Sequence, residues 1–195
     1  SVNVFWQRPQ EYYDADFWRG KNFLDGGALM NQASHYVDLL HYLGGPIKTL
    51  SASTATLARS IEAEDTASLQ LKWSNNALGT MTVTMLTYPE NLEGSITVLG
   101  ENGTVKIGGV AVNKIDHWKF KDNHPDDLKF KDVSSSPKSV YGLGHYAYYS
   151  NMINVINGIE KPICDGEEGL KTLEIIIAAY QSSLKQEFIN LPLPR

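Results

Sequence analysis

The polar residues best suited to chemistry lie on one stripe of a predicted helix. Asn31, His35, Asp38 and Tyr42 are spaced by three or four residues, and at about 100° per residue this spacing places them on one helical face. Amides and imidazoles donate and accept hydrogen bonds, and imidazole titrates near neutral pH. The stripe therefore predicts a binding or proton-transfer site. The alternative is an ordinary solvated surface, although such surfaces are more often built from Lys, Glu and Arg.

The helix that must position this stripe is delimited at both ends. Asp25 can cap its first turn, and Gly44-Gly45-Pro46 ends it, because glycine adopts the left-handed cap conformation and proline cannot continue the ladder. Gly26 and Gly27, called here the glycine turn, are predicted to expose backbone N–H groups to an anionic or oxygen-rich ligand. The apolar face predicted to enter the core consists of Leu29, Ala33, Tyr36, Val37, Leu40 and Leu43.

An aromatic segment precedes that helix and contains one arginine of interest. Arg19 follows a tryptophan, and a guanidinium in that setting offers bidentate binding of a carboxylate or phosphate. Pairing of Arg19 with Asp16 or Asp25 is an equally open interpretation. The aromatic residues are predicted either to pack as a loop on the core or to face a ligand: Tyr12, Tyr13, Phe17 and Trp18.

Three segments of the chain resemble the C-terminal domain of the Gfo/Idh/MocA oxidoreductases. The pattern Gly-Gly-x7-His, which runs from Gly26 to His35, is specific to that family. The combination of Arg8-Pro9, Trp18-Arg19-Gly20 and Ala28-Leu29-Met30-Asn31-Gln32 is similar to the UDP-N-acetylglucosaminuronate 3-dehydrogenases of bacterial surface-polysaccharide synthesis. The resemblance covers nearly the whole chain.

This resemblance implies that residues 1–195 are a substrate-binding and oligomerisation domain excised from a longer enzyme. The missing N-terminal Rossmann domain would hold NAD and a lysine beside the substrate, so no cofactor-binding residue is expected here. The implied reaction is oxidation of a sugar hydroxyl, C3 of a UDP-N-acetyl-hexosaminuronate, by hydride transfer to NAD. The implied partners are the nucleotide sugar, the enzyme's own Rossmann domain, and identical copies that contact the open sheet face.

The resemblance also implies roles for individual residues. His35 matches the family's histidine and is expected to bind or deprotonate the reacting hydroxyl. Many family members carry Asp where this chain has Asn31; an amide can orient the sugar but cannot act as a carboxylate base, so a different proton relay is expected. Arg19 is expected to bind the uronate carboxylate. The other predicted substrate-binding residues are Gln32, Ser34, Tyr13 and His145.

Composition indicates one ordinary globular domain. The chain has 195 residues, 42% of them hydrophobic and 20% charged, which suffices for a sizeable core. A net charge of -5 with only 17 basic residues argues against nucleic-acid binding. Cys164 is the only cysteine, so no internal disulfide forms and a cytoplasmic setting is expected. No apolar run approaches the roughly 20 residues that span a bilayer, so a soluble protein is expected.

The remaining pattern predicts an α+β domain. Its strands would form an open, mainly antiparallel sheet of about six strands, with three main helices packed on one face. The uncovered face is expected to be apolar and to mediate self-association. Alternating or β-branched runs occupy residues 2–7, 47–57, 66–73, 77–87, 94–99, 105–107 and 110–118, with a hairpin signal at Asn102-Gly103.

Two further helices are predicted near the C-terminus. Residues 145–157 would face the core through Tyr148, Met152, Val155 and Ile156. The second helix starts at Asp165, an N-cap followed by acidic residues. Its predicted core stripe is Leu170, Leu173, Ile177, Tyr180 and Leu184.

Two motifs are rejected as sites. Residues 142–147 match Gly-x-Gly-x-x-Ala, but a Ser/Pro-rich segment precedes them where a dinucleotide site needs a parallel strand. The acidic and histidine residues in and beside the predicted loop 119–139 lack metal-ligand spacing, so no metal is expected: Asp116, His117, Asp122, His124, Asp126 and Asp127.

Two other functions stay open. One is a non-catalytic sugar-binding or oligomerisation module, and the other, weaker, is a metal-dependent lyase or hydrolase using His35, Asp38 and His41.

Overall fold

An eight-stranded sheet forms the framework of the computed structural model, which describes residues 1–125, 127 and 144–194. The strands are β1 (Val2–Phe5), β2 (Ile47–Ala55), β3 (Thr66–Trp73), β4 (Leu78–Thr84), β5 (Glu93–Gly100), β6 (Gly103–Gly108), β7 (Lys114–Phe120) and β8 (Ile189–Asn190). Their spatial order is β7-β6-β5-β1-β4-β3-β2-β8.

The sheet is mainly antiparallel, as predicted. β1 pairs in parallel with β4, and the other pairings between these named strands are antiparallel. Gly100 pairs with Gly103, which confirms the hairpin predicted at Asn102-Gly103. The strand count is eight rather than about six, in part because β8 has two residues, too few to show an alternating pattern.

The described residues form four helices. They are α1 (Gln10–Asp14), α2 (Ser34–Gly44), α3 (Gly144–Ile156) and α4 (Gly166–Lys185). α4 packs on β2, and α2 packs on α4 and β1. The α+β prediction is therefore confirmed. The core between these layers includes Val2, Val4, Leu29, Val37, Leu50, Leu69, Met81, Val83 and Ile176.

α2 is shorter than the sequence predicted. It begins at Ser34 and not near Asp25, and its N-cap, Ala33, has no side-chain capping bond. The preceding residues form irregular turns, with the Ala33 N–H donating to the Ala28 carbonyl at 2.9 Å. The C-terminal end is as predicted, because Gly45 takes a φ of 81° and donates its N–H to the His41 carbonyl.

α4 confirms its predicted start but packs through a different face. The Asp165 carboxylate accepts the N–H groups of Glu167 and Glu168 at 3.0 and 3.1 Å. Four of the five predicted core residues are exposed, which makes that stripe wrong: Leu170, Leu173, Ile177 and Leu184. The buried residues of α4 are Ile175, Ile176, Ala178, Ala179 and Ser182. Three of them are small, so the helix approaches β2 closely enough for the Ala52 N–H to reach Ser182 Oγ at 3.0 Å.

α3 also differs from its prediction. Tyr148, Met152 and Ile156 are exposed, and the buried residue of this helix is Asn151. The Asn151 amide holds the following loop, accepting the Ile163 N–H at 3.0 Å and donating to the Lys161 carbonyl at 3.1 Å. Apolar side chains of α3, the following loop and α4 are thus exposed, and this set is called here the α3–α4 surface: Met152, Ile153, Ile156, Ile159, Ile163, Leu170, Leu173 and Ile177.

The uncovered face of the sheet is polar, contrary to expectation. Its outward-pointing positions on β2, β3 and β4 are largely hydroxyl-bearing: Ser53, Ser68, Gln70, Lys72, Thr80, Thr82 and Thr84. Exposed apolar residues, Leu78, Leu99 and Phe188, line a groove of about 560 Å³ toward one edge. The whole uncovered face of the sheet, including this groove, is called here the open sheet face. Among the helices described, none is long and apolar enough to cross a membrane.

Candidate functional site

A carboxylate and an amide meet where the glycine turn leads toward α2. Asp25 Oδ1 accepts a short hydrogen bond from Asn31 Nδ2, and Asp25 Oδ2 accepts the Gly20 N–H at 2.8 Å. Gly20 follows Arg19 directly, so Asp25 links the arginine-bearing turn to the segment that carries Asn31. Asp25 was predicted as a helix cap, and it is instead a bridge between two loops.

His35 lies four residues after Asn31, in the first turn of α2. Its imidazole is exposed, and no hydrogen bond to it is formed by residues 1–125, 127 or 144–194. Ser34 Oγ donates to the Asn31 carbonyl at 3.3 Å. The imidazole is therefore open to an incoming ligand, and Asn31 lies four residues earlier, in the turn that leads into α2.

Arg19 is held in place by an aromatic ring and an ion pair. Its guanidinium carbon lies 4.2 Å from the centroid of Tyr12 and 5.2 Å from that of Trp18. Nη1 donates to the Tyr12 carbonyl at 2.8 Å, and Nη2 pairs with Asp16 at 2.8 Å. Of the two partners open from the sequence, Asp16 is the one used. Nε is buried and meets no acceptor within the described ranges.

A second guanidinium contacts the same tyrosine ring. Arg8 lies 5.4 Å from the Tyr12 centroid and 5.2 Å from that of Trp6. Its Nη1 donates to the Gln7 carbonyl at 2.6 Å. Sequence reasoning used Arg8 only as part of a family signature. The signal that would have found it is a basic residue followed by Pro at the end of an alternating run, close to an aromatic segment.

The other predicted substrate-binding residues take different positions. Gln32 is buried, with Nε2 3.5 Å from the Tyr12 hydroxyl. Tyr13 is buried beside Tyr12, and this burial raises its pKa to about 12. His145 is exposed on α3 and stacks on Tyr149 with 6.4 Å between ring centroids. The structure thus joins Gln32 to the Arg19 cluster through Tyr12. The substrate-binding roles of all these residues stay predictions.

The N–H groups around the glycine turn point into the protein. Gly26 donates to the Lys21 carbonyl at 3.0 Å, Ala28 to the Glu64 carbonyl at 2.9 Å, and Leu29 to Glu64 Oε1 at 2.8 Å. These donors are consumed by acceptors of the same chain. The Gly26 N–H is therefore not available to an anion, and the anion-binding role of the glycine turn stays a prediction for Gly27.

Glu64 is a buried carboxyl that the sequence did not reveal. Its Oε1 accepts the Tyr180 hydroxyl at 3.0 Å in addition to the Leu29 N–H. Burial raises the pKa of Glu64, and burial followed by the Glu64 charge raises that of Tyr180. A Cβ at Gly27 would lie 1.8 Å from Glu64 Oε2, so this position requires glycine for space.

A cavity of about 590 Å³ lies between the glycine turn, α4 and the end of β2. Its lining includes three acidic residues, Asp25, Glu62 and Glu64. Such a lining suits hydroxyl or cationic groups better than a phosphate. The arginine cluster at Arg8 and Arg19 offers the opposite charge, so anionic groups of a ligand are expected on that side.

No set of three His, Cys, Asp or Glu side chains in the ranges described is placed to hold a metal ion. Asp126, one of the loop residues considered from the sequence, lies outside those ranges, as do most residues of the predicted loop 119–139. Gly142 and Leu143 of the rejected Gly-x-Gly-x-x-Ala motif also lie outside them, and Gly144 begins α3.

Residues 2–191 match the oxidoreductase family, C-terminal alpha/beta domain, of the Gfo/Idh/MocA group. The chain belongs to this family. Among curated proteins, D-apiose dehydrogenase from Rhizobium rhizogenes is 22% identical over 203 residues, which covers 96% of this chain and 56% of that protein. The resemblance inferred from the motifs is thereby confirmed at the family level.

Two solved structures are much more similar. The WlbA dehydrogenase from Bordetella pertussis, determined with NADH and UDP-GlcNAcA, is 59% identical with a TM-score of 0.94, covering 99% of this chain and 56% of WlbA. WlbA from Chromobacterium violaceum, determined with the same two ligands, is 56% identical with a TM-score of 0.92, covering 100% and 54%. Levoglucosan dehydrogenase shares the fold at 16% identity and a TM-score of 0.77. The chain spans just over half the length of these relatives.

Proposed function

We propose that this chain is the C-terminal substrate-binding and oligomerisation domain of an NAD-dependent sugar dehydrogenase. Its substrate would be a UDP-N-acetyl-hexosaminuronate oxidised at C3, in bacterial surface-polysaccharide synthesis. The observation that carries the proposal is 59% identity over 99% of the chain to a dehydrogenase whose structure contains NADH and UDP-GlcNAcA. The chemistry of the Asn31, His35 and Arg19 side chains agrees with that substrate class.

Oxidation of a secondary alcohol removes a proton from oxygen and a hydride from carbon. NAD, when bound, supplies the hydride acceptor. The described residues do not fit a dinucleotide: they contain no parallel strand–turn–helix unit, and the Gly26 N–H of the glycine turn donates to the Lys21 carbonyl. We therefore assign NAD to an N-terminal Rossmann domain of the complete enzyme and derive no step at the cofactor from this chain.

The proton is the part of the reaction that this chain would handle. His35, exposed and open to a ligand, would accept a hydrogen bond from the C3 hydroxyl and take its proton. Asn31 would orient the same hydroxyl or its neighbour. Because Asn31 cannot ionise, the imidazole has no carboxylate at this position to which it could pass the proton. The proton would leave through water or through the lysine expected on the Rossmann domain.

Arg19 would bind the uronate carboxylate. Nη1 and Nη2 each have one partner in this chain, and their remaining N–H groups would donate to the ligand carboxylate. Stacking on Tyr12 fixes the plane of the fork. Gln32 and Ser34 would bind sugar hydroxyls, with Tyr13 and His145 as outer members of the predicted set.

Two surfaces would be covered in the complete enzyme. We assign the α3–α4 surface to the Rossmann domain, since its exposed side chains are large and apolar. We assign the open sheet face to contacts between identical copies, supported by the exposed apolar residues Leu78, Leu99 and Phe188 that line its groove. A cytoplasmic enzyme that acts without nucleic acid or membrane agrees with the single cysteine and the net charge of -5.

The test is a turnover assay on the full-length protein with NAD and UDP-N-acetylglucosaminuronate. We expect NADH to form and the product to carry a ketone at C3, as identified by NMR. UDP-N-acetylglucosamine, which lacks the carboxylate, is the matched control substrate and should react poorly. Sugar binding without NADH formation would favour the alternative, a non-catalytic sugar-binding or oligomerisation module.

A further inference from the structure

The Asp25 side chain constrains how the Asn31 amide can point. An ionised carboxylate only accepts hydrogen bonds, so the Asn31 atom facing Asp25 must be the NH₂ group and not the oxygen. This assignment follows from the chemistry of the pair and not from the shape of the amide alone. The second Asp25 oxygen is occupied by the Gly20 N–H at 2.8 Å, which prevents the carboxylate from rotating freely.

The opposite end of the Asn31 amide is left as an acceptor. No donor in the described ranges reaches Asn31 Oδ1, and the residue is only half-buried. A carboxylate that accepts from an amide NH₂ also polarises that amide, which increases the negative charge on its oxygen. Asn31 is thus preset to receive a hydrogen bond from a ligand hydroxyl.

We propose that Asp25 is a positioning residue that presents Asn31 Oδ1 to a hydroxyl of the sugar, in the turn four residues before His35. The inference rests on the function proposed above and extends it to a residue outside the predicted site. In this arrangement the Asp25 carboxylate binds the NH₂ group of Asn31, and it does not itself contact the sugar hydroxyl. The hydroxyl is therefore held by a neutral but polarised acceptor, while the proton goes to the imidazole.

The same carboxylate also sets the spacing of the site. Through Gly20, Asp25 holds the turn that carries Arg19, and through Asn31 it holds the segment that leads into α2. Loss of Asp25 would free both sides at once. Misplacement of a reacting group by about 1 Å can cost on the order of 100-fold in rate, so the effect is expected mainly on kcat.

Exchange of the two side chains provides a specific test in the full-length enzyme. Asp25→Asn breaks the arrangement, because Gly20 and Asn31 donate to different oxygens of Asp25 and the new NH₂ group would replace one of them and face a donor. Asn31→Asp places two carboxylates face to face. The double variant Asp25→Asn/Asn31→Asp restores every bond: the introduced amide donates to the introduced carboxylate and still accepts the Gly20 N–H.

We expect each single variant to lose about 10- to 100-fold in kcat with a smaller change in KM, and the double variant to recover most of it. Asp14→Asn is the matched control, because Asp14 accepts from the Gln10 amide at 2.9 Å on the exposed face of α1; it should leave kcat unchanged. Melting temperatures are measured for all variants.

Three outcomes would overturn the inference while leaving the proposed function intact: unchanged kcat in Asp25→Asn, a double variant that regains its melting temperature but not its kcat, or an equal loss in Asp14→Asn. A wild-type enzyme that does not oxidise the nucleotide sugar would overturn both the proposed function and this inference.

Discussion

The guanidinium of Arg19 lies over the ring of Tyr12, with 4.2 Å between its central carbon and the ring centroid. Arg8 contacts the same ring at 5.4 Å. Contacts of this kind fix the plane of each guanidinium and reduce the entropy lost when a ligand is bound. Tyr12, which was not among the predicted site residues, therefore organises both cationic side chains.

Arg19→Lys should weaken substrate binding more than it slows turnover. Lysine keeps the charge but loses the planar fork and its contact with Tyr12. A charge-assisted hydrogen bond contributes about 1.5–3 kcal/mol, so we expect KM for the nucleotide sugar to rise about 10- to 100-fold. Steady-state kinetics on the full-length enzyme measure this. Asp16→Asn is the control, because it removes the ion partner of Arg19 without removing the guanidinium. If it changes KM as much as Arg19→Lys does, Arg19 stabilises the structure and does not bind the substrate.

His35→Ala should reduce kcat about 10²- to 10⁴-fold, the usual contribution of a positioned acid or base. His35→Asn should be nearly as damaging, because an amide keeps a hydrogen bond but takes up no proton near neutral pH. His41→Ala is the control, since His41 lies in the last turn of the same helix, and it should change kcat little. Circular dichroism confirms folding. Equal activities of the two alanine variants would exclude His35 as the base.

The buried Glu64 should make stability depend on pH. Its pKa is raised in the folded protein above the ordinary 4.5, so the folded state binds the proton more tightly than the unfolded state. The stabilising contribution is complete below pH 4.5 and is lost as the pH rises through the raised pKa. Glu64→Gln removes this titration but keeps an oxygen to accept from Leu29 and Tyr180. We therefore expect its melting temperature, relative to wild type, to increase as the pH is raised above 4.5.

Glu62→Gln is the matched control for that pH series. The Lys21 hydrogen bond lowers the pKa of Glu62, so its contribution is present above the unfolded pKa and is lost as the pH falls. The difference between variant and wild type should have the opposite sign and be small, because the pair is exposed. Parallel pH profiles for the two variants would contradict the burial argument for Glu64.

Gly27→Ala should destabilise the domain by about 1–3 kcal/mol, the usual cost of overpacking. The added methyl group would meet Glu64 Oε2 at 1.8 Å, where the carboxyl is held by Leu29 and Tyr180. Gly169→Ala in α4 has no atom within 4 Å of the added Cβ and should stabilise the helix by up to about 1 kcal/mol. Denaturant unfolding of both variants gives the two free energies, and similar values would contradict the close approach at Gly27.

The α3–α4 surface should be buried in the full-length enzyme. Ile153→Gln or Leu173→Gln replaces an exposed apolar side chain of this domain, so residues 1–195 alone should tolerate either change within about 0.5 kcal/mol. The same substitutions should lower the melting temperature of the full-length protein, because a polar amide would be buried against the second domain. Equal effects in both proteins would contradict the assignment of this surface to the Rossmann domain.

Features that depend on neighbouring residues were predictable from the sequence. The alternating runs that became β3 and β4, the Asn102-Gly103 hairpin, the Asp165 cap and the glycine end of α2 each involve residues a few positions apart. Their physical causes are local: side-chain alternation, capping bonds and the backbone freedom of glycine. His35 lies on α2 as predicted, whereas Asn31 precedes the helix, so the predicted helical stripe does not include it. The motif around both residues indicated the family.

Features that depend on distant partners were decided by the tertiary structure. α4 is apolar on two sides, and periodicity cannot tell which side meets the sheet; close packing on β2 selected the one with Ala178, Ala179 and Ser182. The segment after the glycine turn does not continue as a helix: Glu64 binds the N–H groups of Ala28 and Leu29, and its carboxyl also accepts from Tyr180, 116 residues away in the chain. A buried carboxyl accepts hydrogen bonds from the donors that the fold brings close to it, since leaving those groups unpaired is costly. The donors come from distant parts of the chain, so no local sequence pattern identifies them.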